Sequence, residues 1–201
     1  MTNVGQRERA AQDRVVKLFR ESLGYDYLGN WEYRPANSNI EEQYLRAFLG
    51  KQSCDDAIID RALYRLNKAA GDQSKSLYDV NKAVYGLLRY GVRVRPDVGQ
   101  NTQTVHLIDW QHPLNNHFAI VEEVTVTGVH AKRPDVVLYV NGIALGVLEL
   151  KRSIVAVSEG IRQNLDNQKK TFIQPFFATV QLIMAGNDTE GLRYGVIETP
   201  E

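Results

Sequence analysis

Apolar residues recur every three to four positions through the first ninety residues, a spacing that predicts helices. The expected helices lie around Val15–Leu23, after Asn39, over residues 55–70 and between Ser76 and Gly91. Asn39 and Ser76 are predicted N-caps, and Ser76 with Asp79 forms a capping box. The segment Asn30–Ser38 is polar and is predicted to be a loop.

After Gly91 the pattern changes to runs of β-branched residues bounded by turn residues, which predicts strands. These runs are Val92–Val94, Thr104–Trp110, Ala119–Thr127, Asp135–Val140, Ile143–Lys151, Phe177–Ala185 and Gly195–Ile197. Asn141-Gly142 separates two of them and predicts a type I′ hairpin, because that turn needs positive φ at both central residues. A helix is expected at about 158–170, with Ser158 as its cap and Ile161 and Leu165 on its buried side.

This order of elements predicts an α/β fold with a mixed sheet flanked by helices. We expect a helical N-terminal portion over residues 1–91, packed on a core over residues 92–201, the two together forming one compact domain.

Composition leaves the function open but excludes several classes of protein. The 24 basic and 24 acidic residues cancel, which argues against a protein that is basic all over but not against a local basic cleft. One cysteine, Cys54, cannot form an internal disulfide, and the four histidines show no zinc-binding spacing. The sequence has no secretory signal, membrane span or Walker A motif, so we expect a cytoplasmic protein without its own nucleotide site.

Asp135, Glu149 and Lys151 form the candidate site. Strand alternation places Glu149 and Lys151 on one face, about 7 Å apart at Cα. The hairpin brings Asp135 to the same end of the sheet, and two carboxylates suit Mg²⁺, which prefers oxygen ligands. A Glu-x-Lys on a strand is often only a solvated ion pair. Here the strand Ile143–Leu150 is almost entirely apolar, and buried charges are costly unless paired or metal-bound.

Pro134-Asp135 followed by Glu149-Leu150-Lys151 resembles the PD-(D/E)xK nuclease signature. A longer series resembles the N-terminal domain of the endonuclease, or motor, subunit of type I restriction enzymes. Its segments are SNIEEQYLRAFL, SLYDVNKAVYGLLRYG, KRPDVVLYVNG, LGVLELKRS, EGIRQNLDNQ and MAGNDTEGLRYG, which begin at residues 38, 76, 132, 145, 159 and 184.

The resemblance implies a restriction-endonuclease-like fold and a Mg²⁺-dependent endonuclease that acts on double-stranded DNA. Asp135 and Glu149 would hold the metal, while Lys151 would orient the attacking water and stabilise charge on the phosphate. Some relatives carry a Gln-x-x-x-Tyr motif on the following helix. Gln163 occupies the glutamine position, but Asn167 replaces the tyrosine.

Other candidates depend on the same resemblance. Glu8, on the first helix, is an accessory metal-site candidate, although surface exposure is the commoner role of such a residue. Lys132, Arg133 and Arg152 flank the carboxylates, and either contact DNA phosphates or are simply solvated charges.

In such enzymes the subunit continues into an ATP-driven translocase, and methylase and specificity subunits read the target. We therefore expect ATP to act only through a part outside residues 1–201, and this chain alone to cut DNA poorly. The alternative is a non-catalytic DNA-binding or subunit-docking module of the same fold.

Overall fold

The computed structural model describes residues 3–96 and 99–197, with side chains from Arg9 onward. The α-helices of this part of the chain are α1 (Asn3–Glu21), α2 (Glu42–Lys51), α3 (Asp56–Ala70), α4 (Leu77–Tyr90) and α5 (Val157–Asn167). Two short 3₁₀ helices cover Pro113–Asn115 and Gln174–Ala178. None of the helices in these residues combines the length and hydrophobicity that a membrane crossing needs.

Six strands form one mixed sheet in the order β1-β4-β5-β6-β7-β8. They are β1 (Asp26–Asn30), β4 (Phe118–Glu122), β5 (Val136–Val140), β6 (Ile143–Leu150), β7 (Leu182–Asn187) and β8 (Gly191–Gly195). β4, β5 and β6 pair antiparallel, whereas β1 with β4 and β6 with β7 pair parallel. Short strands β2 (Val92–Val94) and β3 (Gln103–Val105) form a separate ribbon. The predicted mixed sheet with a helical N-terminal portion is confirmed.

The β5–β6 hairpin turns at Asn141 and Gly142, which both have positive φ, 51° and 81°. Gly142 is required because a Cβ there would lie 2.5 Å from the carbonyl oxygen of Glu41. Asn141 is fully buried, and its side-chain amide donates to the Leu107 carbonyl oxygen at 2.9 Å. Contacts with Glu41 and Leu107 therefore fix the turn in place. These contacts are long-range, so the residues around the turn in the sequence do not indicate them.

Helices cover both faces and one end of the sheet. α1 packs on the face formed by residues such as Val136, Leu138 and Leu148. Helices α2, α3 and α4 share a hydrophobic cluster with Val140 and Ile143, which lie beside the hairpin turn. The opposite ends of β5 and β6, away from that turn, are left for the candidate site.

Several local predictions were wrong. β1 lies between the predicted first helix and the predicted loop, where no strand was expected, and the strands predicted at 104–110, 119–127, 177–185 and 195–197 are shorter or shifted. Glu41, not Asn39, precedes α2, and Ala156, without a side-chain cap bond, precedes α5. Ile161 and Leu165 are exposed, whereas the buried side of α5 carries Val157, Gly160, Asn164 and Asn167.

Candidate active site

Asp135 and Glu149 lie side by side on neighbouring strands. Val136 pairs with Leu148, so Asp135, one residue before β5, lies opposite Glu149 in β6. The Leu150 amide donates to Asp135 Oδ2 at 2.7 Å. This bond fixes the Asp135 carboxylate against the strand that carries Glu149.

Lys151 continues β6 by one residue, because its amide donates to the Gly186 carbonyl oxygen on β7 at 2.9 Å. Alternation along the strand then directs Lys151 to the same face as Glu149. Lys151 Nζ lies 3.7 Å from Glu149 Oε2, and the two side chains are 14% and 0% exposed. The predicted convergence of the three residues is therefore present in the structure.

Gln163, from α5, bridges the other two side chains. Its Nε2 donates to Glu149 Oε2 at 2.7 Å, and its Oε1 accepts from Lys151 Nζ at 2.7 Å. This arrangement holds Lys151 between a neutral acceptor and a carboxylate. Asn167 is fully buried on the same helix, and its amide atoms have no hydrogen-bond partner within the described residues.

Gly160 allows α5 to lie this close to the sheet. A Cβ at Gly160 would lie 3.1 Å from the Ala185 Cβ, 3.4 Å from Lys151 Cγ and 3.7 Å from Glu149 Cβ. The inner side of α5 is therefore formed by a glycine and amides rather than by large apolar residues. This is why hydrophobic periodicity assigned its buried side wrongly.

Burial dominates the electrostatics of the two carboxyl groups. It raises the pKa of Glu149 well above its ordinary value, and the neighbouring Asp135 charge raises the same pKa further. Burial likewise raises the pKa of Asp135, opposed by the Leu150 amide and the Lys151 charge. Glu149 Oε1 is buried without a hydrogen-bond donor in the described part of the chain. The pair therefore lacks sufficient positive charge and donors to be ionised without cost.

Glu123 and Gln12 both donate hydrogen bonds to the Asp135 carbonyl oxygen, and no sequence pattern indicated either residue clearly. Glu123 has a positive φ of 52°, and its amide donates to the Asp135 carbonyl oxygen at 2.8 Å. Gln12 Nε2, on α1, donates to Glu123 Oε1 at 3.2 Å. Glu122, next to it, is 2% exposed and accepts a hydrogen bond from Tyr27. Two adjacent glutamates usually lie at the surface, but neither Glu122 nor Glu123 has an exposed side chain.

The basic residues predicted to contact DNA differ in their surroundings. Arg133 forms ion pairs with both Glu32 and Glu123. Lys132 Nζ lies 4.0 Å from the centre of the Phe172 ring. Within residues 3–96 and 99–197, the partly exposed Arg152 side chain forms no ion pair.

The Glu8 side chain lies outside the described residues, although its backbone belongs to α1. Its role at the metal site therefore stays a prediction. Among the side chains that are described, no three of the His, Cys, Asp or Glu type form a metal-binding cluster. A cation here would rely on the Asp135 and Glu149 carboxylates with water, a donor set that suits Mg²⁺ rather than zinc.

Comparison with known proteins identifies the family of this chain. The model of the "Type I restriction enzyme R protein N terminus" family matches residues 5–201. The chain belongs to this family. It is 32% identical over 90 residues to the EcoprrI endonuclease subunit of Escherichia coli, and 36% identical over 78 residues to the HindI endonuclease subunit of Haemophilus influenzae.

These matches cover limited parts of each protein. They include 44% and 37% of this chain, but only 29% and 7% of the EcoprrI and HindI subunits. A Staphylococcus saprophyticus relative, the SsaAORF53P endonuclease subunit, is 30% identical over 80 residues, which is 40% of this chain and 8% of that subunit. The family supports a nuclease role in a restriction system.

Proposed function

We propose that this chain hydrolyses phosphodiester bonds of double-stranded DNA with Asp135, Glu149, Lys151 and a bound Mg²⁺. The observation that carries the proposal is the pair of adjacent carboxylates, Glu149 fully buried and Asp135 partly buried, with Glu149 Oε1 lacking any donor in the described residues and Lys151 beside it. A divalent cation would offset the cost of ionising both groups at this poorly solvated position. The residues present therefore fit a hard cation.

Asp135 and Glu149 would hold the metal. The chemistry that bound Mg²⁺ supplies is polarisation of the phosphoryl group and a lower pKa for bound water. The Leu150 amide keeps one Asp135 oxygen occupied, which leaves Oδ1 available to a ligand. No covalent protein nucleophile is needed for this reaction.

Lys151 would act on the substrate through its positive charge. Its side chain is only 14% exposed and its Nζ is held at 2.7 Å by Gln163 Oε1, so little reorganisation is needed before a phosphate oxygen can accept a hydrogen bond from it. A preorganised cation in a water-poor site stabilises developing negative charge better than a solvated one does. Gln163 is a positioning residue in this account, because it orients both Lys151 and Glu149.

We infer that efficient cleavage requires the assembled restriction enzyme. An ATP-driven translocase elsewhere in the full subunit, together with methylase and specificity subunits, would bring DNA to this site. The chain has zero net charge, so its affinity for DNA is expected to be modest. Efficient sequence-specific cutting by residues 1–201 alone would contradict this part of the proposal.

The test compares Lys151→Ala with wild type in the assembled enzyme, with Arg162→Ala on the exposed side of α5 as a matched control. We expect Lys151→Ala to abolish DNA cleavage while ATP hydrolysis and translocation stay normal. If Lys151→Ala cut DNA at the wild-type rate, the catalytic proposal would be wrong. The non-catalytic docking or binding module would then be the better account.

A further inference from the structure

The helical portion contains a strongly basic segment, although the net charge of the chain is zero. From Arg61 to Arg95 the sequence has eight basic and two acidic side chains, a surplus of six, in a chain whose total charge is zero. The two acids, Asp72 and Asp79, are hydrogen-bonded to Ser74 and Ser76. The rest of the chain is correspondingly acidic.

These charges lie on the outward sides of two helices that pack against each other. We use "basic face" for the exposed basic residues of α3 and α4, which are Arg61, Arg65, Lys68, Lys82 and Arg89. On α3 the basic residues recur at helical spacing of three to four, and on α4 the spacing also keeps Lys82 and Arg89 on one side. The buried sides of both helices join the same hydrophobic cluster, so their basic sides both point away from it.

The basic face has no internal carboxylate partners. Within the described residues, none of its five side chains forms an ion pair, whereas Arg46 on α2 pairs with Asp60 at 2.7 Å. Arg61 donates instead to the Arg95 carbonyl oxygen at 2.7 Å, which brings a further exposed arginine to the edge of the face. The charges are therefore available to an external anion.

Exposed aromatic rings lie among these charges. Tyr64 is 66% exposed and follows Arg61 by three residues, and Tyr85, 47% exposed, follows Lys82 by three. Trp110 is 47% exposed and lies under the Arg89 guanidinium, 5.5 Å from the ring centre. Basic side chains interleaved with tyrosines suit a phosphate backbone, because arginine, lysine and tyrosine all donate to phosphate oxygens.

We propose that the basic face of α3 and α4 binds the phosphate backbone of double-stranded DNA at a place separate from the candidate active site. Ile143, which packs against these helices, and Glu149 are six residues apart on β6, a distance of about 20 Å. The contact would be independent of base sequence, since phosphates carry no sequence information. The choice of DNA over another polyanion rests on the proposed function.

The experiment measures binding of a 20-base-pair duplex to the 201-residue chain by fluorescence anisotropy, in EDTA, over a range of salt concentrations. The variant is Arg65→Gln, Lys68→Gln and Lys82→Gln together. The control removes the same charge elsewhere with Lys17→Gln, Arg20→Gln and Lys51→Gln. All six positions are exposed and polar, and thermal unfolding checks that both variants fold.

We expect the basic-face variant to bind at least about tenfold more weakly than wild type at 0.1 M salt. The slope of log K against log salt should become shallower by about two to three, since each phosphate that the protein neutralises contributes about 0.9. The control should change both quantities much less. Equal affinity and slope in the two variants would overturn the proposal, as would weaker binding with an unchanged slope.

DNA cleavage and duplex binding distinguish this proposal from the proposed function, because each is measured with its own variant. If the Lys151→Ala enzyme still cut DNA but the basic-face variant bound the duplex weakly, the catalytic proposal alone would fail. If Lys151→Ala abolished cleavage as expected and the basic-face variant bound normally, the basic face alone would fail.

Discussion

Replacing Glu149 with glutamine is expected to make the protein more stable while it removes the candidate activity. Glu149 is fully buried, and its Oε1 lacks a donor in the described residues. An amide at this position keeps the shape, still accepts from Gln163 through its oxygen and can donate to Asp135. The substitution therefore removes a buried charge without opening a cavity.

The stability that Glu149→Gln adds to the folded protein increases with pH. Because burial raises the pKa of Glu149 above its ordinary value of 4.5, the folded state retains a proton that the unfolded chain has released. The wild type is thus favoured below the ordinary pKa and loses stability as the pH rises through the raised pKa. The advantage of Glu149→Gln should be small near pH 4.5 and reach about 1–3 kcal/mol at high pH, the usual cost of an unsatisfied buried group.

Thermal unfolding in EDTA at several pH values measures this difference, which corresponds to roughly 2–4 °C in Tm for each kcal/mol. Glu159→Gln, at a half-exposed acid on α5, is the matched control and should have little effect, because its ion pair with Arg162 is solvated. Adding Mg²⁺ should stabilise wild type by binding linkage and reduce the difference. A Glu149→Gln protein less stable than wild type at about pH 8 without metal would refute the reasoning.

Three further substitutions test the surroundings of the site. Gln163→Leu removes the bridge to Lys151, so kcat for DNA cleavage by the assembled enzyme should fall roughly 10–100-fold with an unchanged KM, and an unchanged kcat would contradict the positioning role. Gly160→Val crowds Ala185 and should lower the free energy of unfolding by about 1–3 kcal/mol, as urea denaturation would measure. Asn81→Ala removes a buried amide that donates to three carbonyl oxygens, and should lower that free energy by about 1–3 kcal/mol; a stability equal to wild type would show those bonds to be dispensable.

The features that could be predicted well from the sequence depend on local chemistry. Asn141-Gly142 specifies its turn because few residues tolerate positive φ, and Ser76 caps α4 by accepting from the Asp79 amide. β1 was missed because its five residues include Gly29 and follow a long helix. Its identity depends on parallel pairing with β4, about ninety residues away, which no local pattern reports.

The site itself was predictable only in part. Strand alternation brought Glu149 and Lys151 together, and the hairpin added Asp135. The inward side of α5 was not predictable from hydrophobicity, since Gly160 and polar residues such as Asn164 face the sheet. The contact of Glu123 with Asp135 was not predictable either, because the positive φ of Glu123 breaks the side-chain alternation that continues from β4.

Direct titration of Mn²⁺, as a spectroscopically visible substitute for Mg²⁺, into the 201-residue chain tests the central claim that Asp135 and Glu149 form a cation site. Electron paramagnetic resonance would count the bound ions in wild type, Asp135→Asn and the matched control Asp166→Asn, a half-exposed acid on α5 that pairs with Lys169. We predict one site in wild type and in the control, and its loss or a roughly 10-fold or greater weakening in Asp135→Asn, an effect of about 1.4 kcal/mol or more. Equal Mn²⁺ binding by all three proteins would contradict the account.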